Sequence, residues 1–338
     1  MGSVTPLLAV FQAIQKLRPE TQFLWLATKD GPESELVATY GIQVIKISAG
    51  KLRRYFSFRN FTDPFRVLAG FFQARKILKE YAPNAVVTAG GFVGVPVAWA
   101  AARLRIPIVA HQPDFEVGLA NKMIANVANI ITVSFEATRS FFPKDKTVLT
   151  GNPVRQDILG GDRAAVLSRL ELDAKLPTVL VMGGSTGSKV INDLLLQALP
   201  KLVEFCQVIH LTGGRAESNA RHPRYKAIEF AGPELRDFYA AADLVVSRAG
   251  VATLSELTAL KKPAILIPMP NSPQEANAEV YFHANAALLV KEENITPAGF
   301  TDALRELLED ELHRQSLSRQ IGTLMPVDAA DKIAKMIL

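Results

Sequence analysis

The stretch Ser247-Arg-Ala-Gly-Val-Ala-Thr-Leu-Ser-Glu256 joins a short apolar run, residues 244–246, through a turn at Gly250 to the helical spacing Leu254, Leu257, Leu260. A strand end, a glycine turn and a helix start leave free backbone N–H groups and a positive dipole end facing whatever lies above a sheet. Glu256 belongs to the opening of that helix. A carboxylate there either caps backbone or grips a ligand's hydroxyl groups, and residue type alone does not choose between the two.

A second set of reactive groups lies in His111-Gln-Pro-Asp-Phe-Glu116, a polar loop just after an apolar run. Ligands of open α/β sheets bind at the carboxyl ends of strands, so Asp114, Glu116 and His111 are the candidate acid–base groups; a lone histidine in such a place is more often structural. Two glycine loops share the strand-to-helix setting, Ala89-Gly-Gly-Phe-Val-Gly-Val-Pro96 and Gly183-Gly-Ser-Thr-Gly187. Their N–H groups suit a phosphate, although glycines also make plain turns.

The elements that position these groups alternate. Residues 23–27, 44–47, 85–89 and 108–110 read as strands, with helical patterns over 64–81 and 96–104 between them. A second alternating unit has strands at 178–182, 207–211, 244–246 and 264–267, a helix over 189–199, and three closing helical patterns over 297–308, 312–321 and 329–337. Gly151-Asn-Pro-Val-Arg155 and the following Gly160-Gly-Asp162 read as the linker. The expectation is an α/β protein with two doubly wound parallel-sheet domains facing across a cleft, residues 1–155 and 156–338.

The 338 residues, 49% hydrophobic and 21% charged, suit two globular domains. Apolar runs break well before the ~18–20 residues of a membrane span, and no signal peptide is seen. Cys206 is the only cysteine, so neither an internal disulfide nor a thiolate cluster forms, which fits a reducing compartment. The net charge of +5 is modest, and its placement says more. Lys51, Arg53, Arg54, Arg59, Arg66, Arg75 and Lys76 interleave with Tyr55, Phe56, Phe58, Phe61, Phe65, Phe71 and Phe72, with Asp63 the only acid among them. That mixture reads as a core helix with solvated basic flanks, as a surface for an anionic bilayer, or as a single-strand nucleic-acid site. An anionic membrane surface is the expected partner of this segment, and nucleic acid is not.

Taken in order, GGFVGVP, GNPVR, GGSTGS, SRAGVATLSE and Gln274-Glu-Ala-Asn-Ala278 closely resemble the motifs of the MurG family, the peptidoglycan GlcNAc transferases of glycosyltransferase family 28. The resemblance runs from Gly90 to Ala278. It implies the GT-B fold and inverting, metal-independent transfer of GlcNAc from UDP-GlcNAc to the 4-hydroxyl of MurNAc in lipid I. The product would be lipid II, made by a peripheral enzyme at the cytoplasmic face of the plasma membrane without a cofactor. The same architecture also fits transfer to another lipid, or a non-catalytic UDP-sugar-binding fragment.

By the same resemblance, donor contacts fall on Gly184 and Ser185 in the glycine loop, on Arg155, and on Val251, Ala252, Thr253, Leu254, Ser255 and Glu256, with Glu256 on the ribose hydroxyls. Gln274 matches a contact to the GlcNAc hydroxyls and Ala231 a backbone contact to uracil. Gly2 and Asp114 are further donor contacts, and Ser3, Gly90, Gly91 and Gly94 are acceptor contacts. No metal ligand is implied.

The departures are local. The family opens with a strand and a GGGTGGH loop, of which only Gly2 and Ser3 remain here, so the true start is expected upstream. Ser3 replaces a histidine often proposed as the base, and a neutral hydroxyl cannot serve alone. Asp114 stands where many members have the asparagine of HEQN, and Pro273 replaces a polar residue. Asp114 is therefore the first candidate base, ahead of Glu116 and His111.

Overall fold

The computed structural model describes residues 2–28, 33–50, 59–184, 187–215 and 220–338; of Glu33 and residues 59–62 only the backbone is described. The chain divides into two compact units: Met1–Pro153 with Asp328–Leu338, and Val154–Val327. This differs from the expected division at 155/156 chiefly at the end of the chain, where the last helix belongs to the first unit.

The first unit runs α1 (Thr5–Leu17), β1 (Leu24–Thr28), α2 (Glu33–Ala38), β2 (Gln43–Ile47), α3 (Arg59–Tyr81), β3 (Val86–Thr88), α4 (Gly94–Arg103), β4 (Ile108–Gln112), α5 (Leu119–Ala125), β5 (Ile130–Val133) and β6 (Thr147–Leu149). All its strand pairs are parallel, but the sheet is in two pieces: β1 pairs only with β2, and β3-β4-β5-β6 form a separate four-stranded sheet. Among the described residues no strand is hydrogen-bonded to both β1 and β3. The core lies between the four-stranded sheet and α3, α4 and α5, around Leu78, Val95, Ala98, Ile108, Ile124 and Ile131. Helix α3 begins five residues before the proline at which the sequence reading starts it, with Pro64 inside its second turn.

The second unit runs α6 (Arg163–Arg169), β7 (Thr178–Met182), α7 (Lys189–Leu202), β8 (Gln207–Leu211), β9 (Tyr225–Ile228), α8 (Leu235–Ala241), β10 (Leu244–Ser247), α9 (Val251–Leu260), β11 (Ala264–Leu266), α10 (Pro273–His283), β12 (Leu288–Leu289), α11 (Pro297–Glu309) and α12 (Glu311–Ile321). Its strands form one parallel six-stranded sheet, β12-β11-β10-β7-β8-β9. Strands β7, β8 and β10 are buried along their whole lengths, which is why they read as apolar runs rather than alternating ones. From β7 the chain moves outward through β8 and β9, then returns to β10 on the other side of β7. The order therefore reverses between β7 and β10, and the crevice beyond their carboxyl ends is the natural ligand site of such a sheet.

The closing helix α13 (Ala329–Ile337) packs on α1, where Ala330, Ile333 and Ala334 meet Ala9, Val10, Ala13 and Ile14 over Val109 of β4.

Candidate functional site

In the second unit, the loops that follow β7 and β10 meet at that reversal. Gly187 has φ +67°, and a Cβ there would collide with the Thr212 carbonyl, so the chain at Gly187 lies against the turn after β8 only because this position has no side chain. Asn192 of α7 holds the same turn, its Nδ2 donating to Thr212 O at 3.0 Å while its Oδ1 accepts from His210 Nε2 at 2.9 Å. The other ring nitrogen of His210 then accepts from the Tyr225 hydroxyl at 2.8 Å. Burial lowers the His210 pKa from 6.5 to about 4, which keeps the ring neutral. Gly184 is open around its α-carbon; Ser185 lies outside the described residues.

Arg248, the residue after β10, is 9% exposed and ties three loops together. It donates to Ser188 Oγ at 2.8 Å and to the carbonyls of Ile267 and Pro268, both at 3.0 Å, and pairs with Glu292. Sequence reading passed over this arginine although it stands inside the SRAG motif; a cation beside a glycine turn at a strand end was the available signal.

Helix α9 opens at Gly250 with no side-chain cap. The N–H groups of Val251, Ala252 and Thr253 therefore point out of the helix end, as the sequence pattern implies. Only Ala252 and Thr253 of this turn are partly exposed; Val251 and Leu254 are core residues. Ser255 is turned inward, its hydroxyl donating to Val251 O at 2.6 Å, so its side chain is not part of a ligand surface.

Glu256 is 7% exposed, and its Oε2 accepts from the hydroxyl of Tyr239 on α8 at 2.9 Å. Burial raises the Glu256 pKa; the Tyr239 hydrogen bond and the Arg155 charge pull it back, and Asp157 pushes it up again. Glu256 is thus held by a side chain of a neighbouring helix, and the start of α9 has no side-chain cap. Arg155 lies 3.5 Å from Asp157 and is 22% exposed.

Gln274 opens α10 half-buried, its Oε1 accepting from Met269 N at 3.1 Å. Asn277, one turn on, donates to Ala249 O and so fixes α10 to the turn before α9. Ala231 follows β9, half-buried beside the exposed ring of Phe230.

In the first unit, Gly90 and Gly91 both take positive φ, +81° and +78°, and Gly94 starts α4 against Thr88. Ser3 lies beside Gly91: its Oγ is 3.7 Å from where a Cβ on Gly91 would be. Gly2 is exposed. The loop after β4 is braced from inside. Gln112 Nε2 donates to the carbonyls of Asp114 and Glu116, at 2.7 and 2.9 Å, and Thr138 donates to that of Phe115. Asp114 is half-buried and Glu116 exposed.

His111 is the candidate that changes its part. It is 2% exposed, with Nε2 donating to Asn152 Oδ1 at 3.1 Å and Nδ1 accepting from Thr132 Oγ1 at 2.9 Å. Burial lowers its pKa to about 4. A ring with both nitrogens engaged below the surface holds the loop and cannot take a proton from a ligand.

The basic–aromatic segment is described in part. Lys51, Arg53, Arg54, Tyr55, Phe56 and Phe58 lie outside the described residues, as do the side chains of Arg59 and Phe61. On the rest of α3, Phe65, Leu68 and Phe72 are 74%, 54% and 58% exposed at helical spacing, with Arg66, Arg75 and Lys76 exposed around them. Among the described residues no helix is long and apolar enough to cross a membrane.

The profile of the glycosyltransferase family 28 N-terminal domain matches residues 1–133, and that of the C-terminal domain matches residues 178–333. A protein of Lachnoclostridium phytofermentans named UDP-N-acetylglucosamine--N-acetylmuramyl-(pentapeptide) pyrophosphoryl-undecaprenol N-acetylglucosamine transferase is 37% identical over 342 residues, covering 99% of this chain and 95% of that one. A protein of the same name from Clostridium tetani is 38% identical over 315 residues, covering 91% and 87%. Among solved structures, that of Acinetobacter baumannii MurG superimposes with a TM-score of 0.75 at 25% identity, over 99% of this chain and 95% of that one. A Neisseria meningitidis UDP-GlcNAc 2-epimerase bound to UDP-GlcNAc shares the fold at 13% identity, with a TM-score of 0.70 over 98% and 97% of the two chains.

Proposed function

Because the chain belongs to glycosyltransferase family 28, we infer that its two units divide one sugar transfer between them. The protein is a UDP-GlcNAc-dependent N-acetylglucosaminyltransferase of peptidoglycan synthesis, acting on an N-acetylmuramyl-pentapeptide carried by undecaprenyl pyrophosphate. The second unit takes the donor and the first takes the acceptor.

On the donor side the observation that carries the reading is Glu256, a buried carboxylate held by Tyr239 under the uncapped end of α9. A carboxylate in that place accepts hydrogen bonds from ribose hydroxyls. The N–H groups of Val251, Ala252 and Thr253 and the open position at Gly184 face the diphosphate, with Ser185 as a further contact and Arg155 as its counter-charge. As the glycosidic bond to UDP breaks, negative charge grows on that diphosphate, and a fixed helix end stabilises it without moving. Gln274 reaches the GlcNAc hydroxyls and Ala231 offers backbone to uracil.

On the acceptor side the turn Gly90–Gly91 with Gly94 and Ser3 lets the lipid-linked sugar approach backbone closely. The MurNAc 4-hydroxyl attacks the anomeric carbon from the face opposite the leaving UDP, inverting the centre, and gives its proton to Asp114. Glu116 is the exposed alternative. The outer face of α3, Phe65, Leu68 and Phe72 among cations, rests on the anionic inner leaflet, where the acceptor's lipid lies.

The test is transfer of labelled GlcNAc from UDP-GlcNAc to a short-chain lipid I analogue in the presence of EDTA, with donor binding measured on the same sample. Metal-free transfer is expected. Binding without transfer would reduce the chain to a donor-binding protein, and dependence on added divalent metal would overturn the metal-independent reading.

A further inference from the structure

Tyr239 lies in a plain helical stretch and belongs to no motif, yet it is the side chain that holds Glu256. We propose that Tyr239 is a positioning residue for the donor: its hydroxyl commits one oxygen of Glu256, aims the other at the nucleotide's vicinal hydroxyls, and fixes the carboxylate in register with Arg155. The proposal rests on the assignment of Glu256 to the ribose and goes one residue deeper.

The geometry leaves Tyr239 little else to do. Its side chain is completely buried, and its hydroxyl lies 2.9 Å from Glu256 Oε2 and 3.5 Å from Met182 Sδ at the end of β7. A phenol has one hydrogen to give, and a carboxylate is a far better acceptor than a thioether. Burial, and then the Glu256 charge, raise the phenol's pKa well above its ordinary value, so the hydroxyl stays a donor throughout the working pH range.

Tyr239 also joins two parts of the unit. Its helix α8 is fastened to the segment that carries Arg155: Asp162 N donates to Asp237 Oδ1 at 2.9 Å, and Gly161 packs so closely on Arg236 O that a Cβ would not fit. Glu256 belongs instead to α9, which follows β10. The tyrosine–glutamate bond therefore sets the distance between the cation meant for the diphosphate and the carboxylate meant for the ribose. A buried carboxylate fixed in this way loses no rotamer freedom when the nucleotide arrives.

The charged and titratable groups facing Glu256 are Tyr239 from α8 and Arg155 and Asp157 from the segment before α6. Tyr239→Phe keeps the ring and removes the one group that both orients Glu256 and favours its charged form. The carboxylate then protonates at a higher pH, and the acid limb of donor binding moves up.

The experiment measures UDP-GlcNAc affinity of the full chain against pH, together with KM for donor and for a lipid I analogue. In Tyr239→Phe, donor affinity near neutral pH falls about tenfold, the scale of losing one hydrogen bond to a charged group. The acid limb shifts upward, while acceptor KM stays as in the parent. Incorporating 3-fluorotyrosine at position 239 preserves packing and strengthens the donor, so the limb shifts downward; this arm decides the matter if the Phe variant does not fold. Unchanged affinity in Tyr239→Phe overturns the proposal, as does an equal loss at every pH with no movement of the limb. A 2′-deoxyribose analogue of the donor separates the underlying assignment. If the parent protein binds it as tightly as UDP-GlcNAc, Glu256 does not grip the 2′-hydroxyl, whatever the outcome at Tyr239.

Discussion

Asn121 Nδ2 donates to Gln112 Oε1 at 2.6 Å, and through that bond helix α5 takes hold of the loop carrying Asp114. Gln112 passes the hold on to the carbonyls of Asp114 and Glu116. Asn121 also donates to His111 O, so one buried amide holds two successive residues at the end of β4. Replacing Gln112 by Ala should lower kcat roughly tenfold to a hundredfold, the cost of a misplaced reacting group. Donor KM should not change. Steady-state kinetics with each substrate varied in turn checks this split.

Asp114→Ala should lower transfer by on the order of 10²–10⁴, the contribution of a general base, and UDP-GlcNAc affinity by far less. Glu116→Ala should retain most activity. If the two results are reversed, Glu116 is the base.

Acid should destabilise the protein through two histidines. The pKa values of His111 and His210 are both lowered by burial from 6.5 to about 4. The unfolded chain therefore takes up protons below about 6.5 that the folded one refuses until about 4. Stability is full above that window and falls as pH drops through it, by at most about 3 kcal/mol per histidine. Urea midpoints measured between pH 7 and pH 4 should show the slope, and it should be shallower in His210→Gln.

The exposed face of α3 predicts association with vesicles. Replacing Phe65, Leu68 and Phe72 with Ser together should strongly reduce co-sedimentation with anionic liposomes, since each ring or chain removes apolar area worth about 1.5–3 kcal/mol when fully buried. Binding to UDP-GlcNAc in solution should be untouched. Raised salt should weaken association in the parent protein, through Arg66, Arg75 and Lys76.

The fully buried Ile333 joins α13 to α1. Ile333→Ala should cost about 2–5 kcal/mol, and the loss should fall on the first unit. Calorimetry should show a transition at lower temperature that UDP-GlcNAc does not raise, beside one that it does.

Much of this was legible in the residues. Strands β7 and β8 coincide with their apolar runs, because a central parallel strand is buried on both faces. Short edge strands such as β12, of two residues, carry no such pattern and were not foreseen. Glu256 was visible through its motif, whereas Tyr239 was not, because the bond between them joins residues on different helices and leaves no local spacing to read. His111 shows the reverse: the loop pattern marks it as reactive, but only Thr132 and Asn152, distant in sequence, show that both its nitrogens are engaged. The start of α3 was misplaced because Pro64 usually opens a helix, and here it lies inside the second turn.

The second unit is a single uninterrupted stretch set between two parts of the first. On a ribosome adding about 5–20 residues per second, the apolar stripe of α1 emerges early and then waits on the order of tens of seconds for its partner on α13. By then the whole second unit has been released and is free to fold. The half of the enzyme that is begun first is thus the half completed last, and Ala9, Val10, Ala13 and Ile14 are the residues that nascent-chain chaperones have most reason to shield.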